Sequence, residues 1–267
     1  MASVFITGSA DGLGQLAAQR LVALGHQVVL HGRNRDRAQA AMLAVPGART
    51  ALEGDLASLE QTRALARQAN AAGPFQAVIH NAGVYRPGAA RQETVDGLDD
   101  VFAINALAPY LLTALIDRPQ RLIYLTSGLH QGGDPDLRDL QWRRRRWSGP
   151  QAYANSKLFD VVLAFAVARL WPHVLSNAVD PGWVPTKMGG RSAPGDLEEG
   201  VATQVWLSVS DEREAKVSGR YLYHRRTRAA HAAASDVAVQ NGFLAACEQL
   251  TGVRLTSAVR TLSREQT

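Results

Sequence analysis

The sequence predicts an α/β protein: a single-domain, Rossmann-type doubly wound parallel sheet with helices on both faces. Three observations carry this expectation. Short aliphatic and β-branched runs alternate with longer alanine-rich segments of helical spacing, the order of strand–helix–strand units. The first such run leads straight into TGSADGLG, a glycine-rich turn ahead of a helix. No repeat, low-complexity tract or Gly/Ser/Pro-rich linker divides the 267 residues.

The elements follow in order. VFIT at 4–7 reads as the first strand and feeds a helix from Leu13 to Leu24; QVVLHG at 27–32 is the second and feeds a helix from Arg35 to Ala44. A third strand precedes Asp55, and AVIHNAG at 77–83 supplies the next. Further strands fit RLIYLTS (121–127), VLSNAVD (174–180) and GRYLYH (219–224), with helices over 97–117, 151–171, 197–209 and 236–250. The chain 1–267 thus reads as one nucleotide-binding domain, with loops at about 128–150 and 182–197 left for substrate and a C-terminal helical extension at about 235–267.

Bulk properties narrow the function classes. With 46% hydrophobic residues the chain fills an ordinary core, and 29 basic against 24 acidic side chains is too small an excess to imply a nucleic-acid partner. The single cysteine, Cys247, forms no internal disulfide and no cysteine metal cluster, which fits a reducing cytoplasm; no metal is expected. MASVFITG has no secretory character, and the longest apolar stretch, Val161–Ala168, lies between Asp160 and Arg169 and is too short to insert in a membrane.

The glycine turn carries the first chemical reading. Gly8, Gly12 and Gly14 permit a tight turn and close backbone approach, and the following helix N-terminus offers free N–H groups to a pyrophosphate; Ser9 and Leu13 belong to the same cradle. At the end of the second strand Gly32 stands where an NAD enzyme carries an acid, and Arg33, followed by Asn34, can grip the 2′-phosphate of NADP. Arg35 and Arg37 read instead as the solvated start of a helix. Farther on, Tyr153 and Lys157 lie four apart in YANSK, on one helical face, in a chain with only three lysines. A neighbouring ammonium lowers a phenol's pKa, which makes Tyr153 a general acid/base.

The T-G-x-x-x-G-x-G spacing and Y-x-x-x-K together resemble the single-domain branch of the short-chain dehydrogenases/reductases. On that resemblance Asp55 and Leu56 match the adenine-contacting pair and Asn81, Ala82 and Gly83 the N-A-G signature, with His80 departing from the usual residue before it. Ser127 matches the serine that orients the substrate oxygen, and Asn105 the helix asparagine that anchors a relay water; Tyr153 and Lys157 complete the tetrad and touch the cofactor as well. DPGWVPTKM is similar to the segment over the nicotinamide, with Pro181, Gly182 and Thr186 at the cofactor and Asp180 in place of a frequent histidine. TSGLH, DLRDLQW, PGWVPTKM and GRYLY give a retinol-dehydrogenase-like flavour. The resemblance implies NADP(H)-dependent hydride transfer to or from a carbonyl or alcohol of a small, apolar substrate, with Tyr85, His130, Trp142, Trp147, Trp183 and Met188 as candidate pocket residues.

Alternatives stay open at this stage. A regulator that senses NADP without turnover has the same fold but predicts a broken tetrad; an extended-branch epimerase or dehydratase needs a larger C-terminal domain. QWRRRRWSG, at 141–149, lies among the 26 positions separating Ser127 from Tyr153; its tryptophans either cover substrate or pack the loop onto the next helix, while its arginines face solvent or pair with Asp134, Asp136 and Asp139. The helix after Tyr153 is apolar nearly all round, so either a second subunit or this insertion must cover it; homo-oligomer and monomer both remain.

Overall fold

The computed structural model describes residues 1–256. One sheet contains β1 (Ser3–Ile6), β2 (Gln27–Gly32), β3 (Thr50–Glu53), β4 (Ala77–His80), β5 (Arg121–Leu125), β6 (Leu175–Asp180), β7 (Arg220–Tyr223) and β8 (Arg226–Arg228). Their order is β3-β2-β1-β4-β5-β6-β7-β8, parallel from β3 through β7 and antiparallel only at β7–β8. The chain moves outward from β1 to β3, then returns to the other side of β1 at β4. This reversal opens a crevice at the carboxyl ends of β1 and β4, where the connections diverge.

Helices cover both faces, as the doubly wound reading requires. On one face α1 (Gly12–Ala23), α2 (Arg35–Ala44) and α7 (Leu197–Val209) bury Leu21, Ala41 and Trp206 against Val4, Ile6 and Leu30. On the other, α3 (Leu59–Ala72), α5 (Ala108–Leu115), α6 (Gly149–Leu170) and α8 (Val237–Thr251) bury Leu65, Leu111, Phe159 and Phe243 against Phe5 and Tyr124. Val4 and Ile6 face one core while Phe5 faces the other, the period-two alternation of a strand buried on both sides.

Several elements differ from the expected ones. The helix α3, capped by Ser58 accepting from Gln61 N, lies in a stretch with no helix expected. The single helix over 97–117 is three pieces: α4 (Asp100–Phe102), a π-turn at Ala103–Leu107, and α5. Its ladder is interrupted because Pro109, four residues after Asn105, has no N–H to donate to the Asn105 carbonyl. The strand β8 is also additional, reached through His224 and Arg225 at φ +47° and +60°, the left-handed pair a two-residue hairpin turn needs. Its Arg226, Thr227 and Arg228 are exposed, and charge along a sheet edge discourages further strand pairing.

The apolar surface of α6 is covered by the chain itself. Phe243 of α8 stacks on Phe159 of α6 with ring centroids 4.8 Å apart and planes 4° apart, and Arg169 donates to Gln240 Oε1 at 2.8 Å. Of the expected C-terminal extension, residues 257–267 lie outside the described residues. Truncating a fully buried aromatic ring costs about 3 kcal/mol or more through lost burial and a residual cavity. Phe243→Ala should therefore lower the urea unfolding free energy by about that amount; a change under about 1 kcal/mol would show that α8 is not integral to this core.

Candidate active site

The crevice at the carboxyl ends of β1 and β4 is a cleft of about 720 Å³. Its floor is set by glycines. A Cβ on Gly8 (φ +63°) would stand 2.8 Å from Ala82 Cα, and one on Gly14 would stand 2.4 Å from Asn81 Nδ2 and 2.5 Å from the Gly8 carbonyl. Only bare backbone lets the turn close onto Asn81–Ala82. Asn81 N and Ala82 N both donate to Thr7 Oγ1 at 3.0 and 3.1 Å, and Asn81 Nδ2 donates to the Thr7 and Gly8 carbonyls at 3.0 Å each. Asp11, at the N-cap of α1, makes no side-chain cap, so the first turn of that helix presents its N–H groups to the cleft. Beneath, His31 is buried; burial pushes its pKa down, and as a neutral ring its Nδ1 accepts from Gly8 N at 2.9 Å while Nε2 donates to the Gly54 carbonyl at 2.8 Å.

At the far end of the cleft Gly32 is enforced by packing: an added Cβ would stand 2.4 Å from Ala38 N. Arg33 is exposed and lines the cleft, as do Asp55 and Leu56. Arg37 departs from the solvated role expected of it. Its guanidinium lies 2.5 Å from Asp11 Oδ2, and Lys187 reaches the same carboxylate from the opposite rim at 3.2 Å. Partial burial pushes Asp11 up, but Lys187 and Arg37 hold its carboxyl below the usual value. Neither Arg37 nor Lys187 was identifiable from spacing, because their meeting depends on α2 and the loop after β6, which are distant in sequence.

At the near end stands Tyr153, buried, with its hydroxyl 3.9 Å from Met188 Sδ, its ring 4.7 Å from that of Tyr85, and Lys157 Nζ 5.8 Å from its ring centre. Burial pushes the phenol above the ordinary tyrosine pKa; the Lys157 charge and the Ser127 hydroxyl pull the other way, whereas Asp160 and Asp180 add to the rise. The lysine's effect, expected to dominate, is thus outweighed by desolvation. Asn105 is fully engaged: Oδ1 accepts from Val84 N at 2.8 Å, and Nδ2 donates to the Val84 carbonyl at 3.0 Å and to Ser156 Oγ at 2.9 Å. Its side chain fixes the 83–84 backbone beside the lysine.

Gly8, Gly12, Leu13, Asn81, Ala82, Gly83, Tyr153, Lys157, Pro181, Thr186 and Met188 line the cleft together. Other expected residues do not. Ser9 is buried, donating to the Ile6 carbonyl and accepting from His31 N; Asn34 caps α2 by accepting from Arg37 N; Gly14 and Gly182 serve packing and a left-handed turn at φ +80°. His130 is fully buried, donating from Nδ1 to the Ser127 carbonyl at 2.7 Å and accepting at Nε2 from His231 N at 3.3 Å, so it supports the serine and does not line a pocket. Trp183 is exposed, its Nε1 donating to the Gly189 carbonyl at 2.8 Å. Asp180, whose effect was unassigned, accepts from Gly182 N at 2.8 Å and from the Tyr221 hydroxyl at 2.9 Å.

The two tryptophans of the insertion pack it down. Trp142 is buried against Val101 and Ala152, edge-on to Trp147 at 5.4 Å, with the Arg145 guanidinium 4.0 Å over its ring. Trp147 Nε1 donates to the Ala89 carbonyl at 2.9 Å. Of the insertion's four consecutive arginines, Arg145 pairs with Asp134 at 2.8 Å, while Arg143, Arg144 and Arg146 are exposed. Trp142 also sits at φ +55°, a strained backbone for a bulky residue that this packing over-determines.

A doubly wound sheet with a glycine cradle, a buried Tyr–Lys pair and a serine at the same strand ends defines a dinucleotide-binding oxidoreductase architecture. Comparison with known proteins narrows it: the short chain dehydrogenase family matches residues 2–119. An uncharacterized oxidoreductase of Emericella nidulans is 43% identical over 95% of this chain and 98% of its own, and retinol dehydrogenase 13 of Homo sapiens is 28% identical over 96% and 86%. Among solved structures, an uncharacterized protein of Mycobacterium Paratuberculosis superposes with a TM-score of 0.82 at 26% identity, covering 96% of this chain and 95% of that one. A blue fluorescent protein from a metagenomic library, in complex with NADPH, gives 0.66 at 23% identity over 83% and 95%. The chain belongs to the short-chain dehydrogenase/reductase family.

The insertion yields a direct test of what its tryptophans do. Trp142→Ala should cost about 3 kcal/mol of unfolding free energy and leave the dinucleotide affinity of the folded protein unchanged. Normal stability with altered substrate KM would instead make Trp142 a cover over the substrate.

Proposed function

We propose that this protein is an NADP(H)-dependent oxidoreductase that interconverts a carbonyl and a secondary alcohol on a small, apolar molecule. The observation that carries the reading is the buried Tyr153 phenol, held beside the Lys157 ammonium and Ser127 where the glycine cleft ends. The dinucleotide supplies or accepts a hydride at its nicotinamide ring. The uncapped N-terminus of α1 would hold its pyrophosphate, Leu56 and Asp55 its adenine, and Thr186 and Pro181 its nicotinamide end.

The protein's own groups manage the oxygen. Ser127 Oγ donates to the substrate oxygen and orients it. Tyr153, protonated at neutral pH, donates the proton that the alkoxide needs when a carbonyl is reduced. Lys157 sets the field at the phenol, and Asn105 fixes the Gly83–Val84 backbone against it. Tyr85 and Met188, packed on the phenol, offer an apolar wall to substrate, in keeping with the apolar alcohol named for the retinol dehydrogenase among the relatives. Among the described residues no helix is long and apolar enough to cross a membrane, and the buried free thiol of Cys247 suits the reducing cytoplasm.

The 2′-phosphate preference rests on Arg33, exposed at the cleft with no acid at Gly32 beside it. NADPH should bind about tenfold or more tightly than NADH by fluorescence titration, and Arg33→Ala should remove most of that gap; equal affinities in the unmodified protein would contradict the preference. Tyr153→Phe should abolish turnover while NADPH affinity stays within about twofold. Substantial residual reduction of a good carbonyl substrate would remove Tyr153 from the role of acid.

A further inference from the structure

The proposed mechanism uses Lys157 but not the carboxylate that touches it. Asp160, one helical turn further along α6, places Oδ2 2.8 Å from Lys157 Nζ. The pair is sealed: the two side chains are 5% and 3% exposed. Lys157 Nζ also donates to the Leu125 carbonyl at 2.7 Å, at the end of β5, while Thr126 Oγ1 returns a bond to the Lys157 carbonyl at 2.7 Å. Two of the three ammonium protons are therefore taken by protein. The third is left toward the cleft, which Lys157 lines beside Gly83.

Resting on the oxidoreductase reading, we infer that Asp160 is a positioning residue for the catalytic lysine: its carboxylate keeps the buried ammonium charged and, with the Leu125 carbonyl, aims its remaining N–H at the cleft. An isolated ammonium in this position would be driven to give up its proton, because burial disfavours the charged form. Asp160 removes that cost while leaving a dipole, not a bare cation, facing Tyr153.

The charged and titratable neighbours on each side are few. On α6 itself Lys157 faces Asp160 and Tyr153; burial works against its charge, and Asp160 and then Tyr153 hold its pKa above the ordinary lysine value. From β5, Tyr124 feels the Asp160 charge, and its hydroxyl bonds Thr113 of α5 at 2.8 Å. Stacked on Tyr124 at 4.8 Å is His80 of β4, which burial holds neutral with a pKa of about 3. At the end of β6, Asp180 acts on Tyr153. Asp160 itself is pushed up to about 6 by burial, against the pull of Lys157. A conservative change to asparagine retains an acceptor and the size of the group but removes the charge.

The chain has three lysines, and the other two, Lys187 and Lys216, have side chains 82% and 49% exposed. Protein labelled with ¹³C,¹⁵N-lysine therefore gives three assignable side-chain signals without reference to any substrate. In the unmodified protein the Lys157 signal should titrate above those of Lys187 and Lys216, or remain protonated to the limit of stability; in Asp160→Asn it should lose its proton about one pH unit or more lower. A Lys157 signal that titrates below the exposed lysines in the unmodified protein overturns the inference even if the variant fails to fold. So does a variant titration that coincides with that of the unmodified protein. The readout is independent of turnover: failure to reduce any carbonyl would strike the oxidoreductase reading, whereas failure of the shift strikes Asp160 alone.

Discussion

Everything at this site depends on the contact between the turn after β1 and the end of β4. Gly8 has no room for a Cβ against Ala82, and Thr7 accepts from two backbone N–H groups of the same strand end. This contact pins the N-terminus of α1 at the topological reversal of the sheet, where the connections part and a cleft has to form. His31 braces it from β2, tying Gly8 N to the Gly54 carbonyl after β3. The geometry for binding an anion is therefore a property of packed backbone and needs no cationic side chain in the turn.

The Tyr153–Lys157 pair is brought to that cleft by α6. A helix buried over most of its 22 residues carries its polar side chains at the cost of desolvation, offset in part by the Lys157 bonds to Asp160 and the Leu125 carbonyl and by the Asn105–Ser156 bond. Burial has a chemical consequence as well: it raises Tyr153 more than the Lys157 charge lowers it, so the phenol holds its proton in this site. The same burial needs a cover, and α8 provides it through Phe243, so the far end of the chain supports the site indirectly.

Strand and helix order, the glycine turn and the Tyr–Lys spacing were all legible in the sequence because each is a local pattern: alternating runs, a turn with glycine at fixed offsets, two residues on one helical face. What was not legible is set by distance or by atypical residues. The strand β8 follows a His-Arg turn, not the glycine-bearing dipeptide that marks a hairpin, so nothing local announced it. Arg37 and Lys187 meet on Asp11 only because the first turn of α2 and the loop after β6 both reach the turn after β1. Trp142 and His130 had the right residue types for a pocket, but their neighbours are core residues and backbone carbonyls, which only the fold can assign. Asp160 lay in plain view at three residues from Lys157; its burial, not its spacing, gives it meaning.

The central claim is that the cleft transfers hydride and does not merely hold a dinucleotide. The most direct measurement supplies NADPH deuterated at nicotinamide C4, in each stereochemical form, with a panel of apolar ketones and aldehydes, and reads the product by mass spectrometry. The account predicts alcohol carrying deuterium on the carbinol carbon from one stereochemical form and none from the other. Tight NADPH binding with no deuterated alcohol from any carbonyl would contradict it and make the protein a dinucleotide sensor.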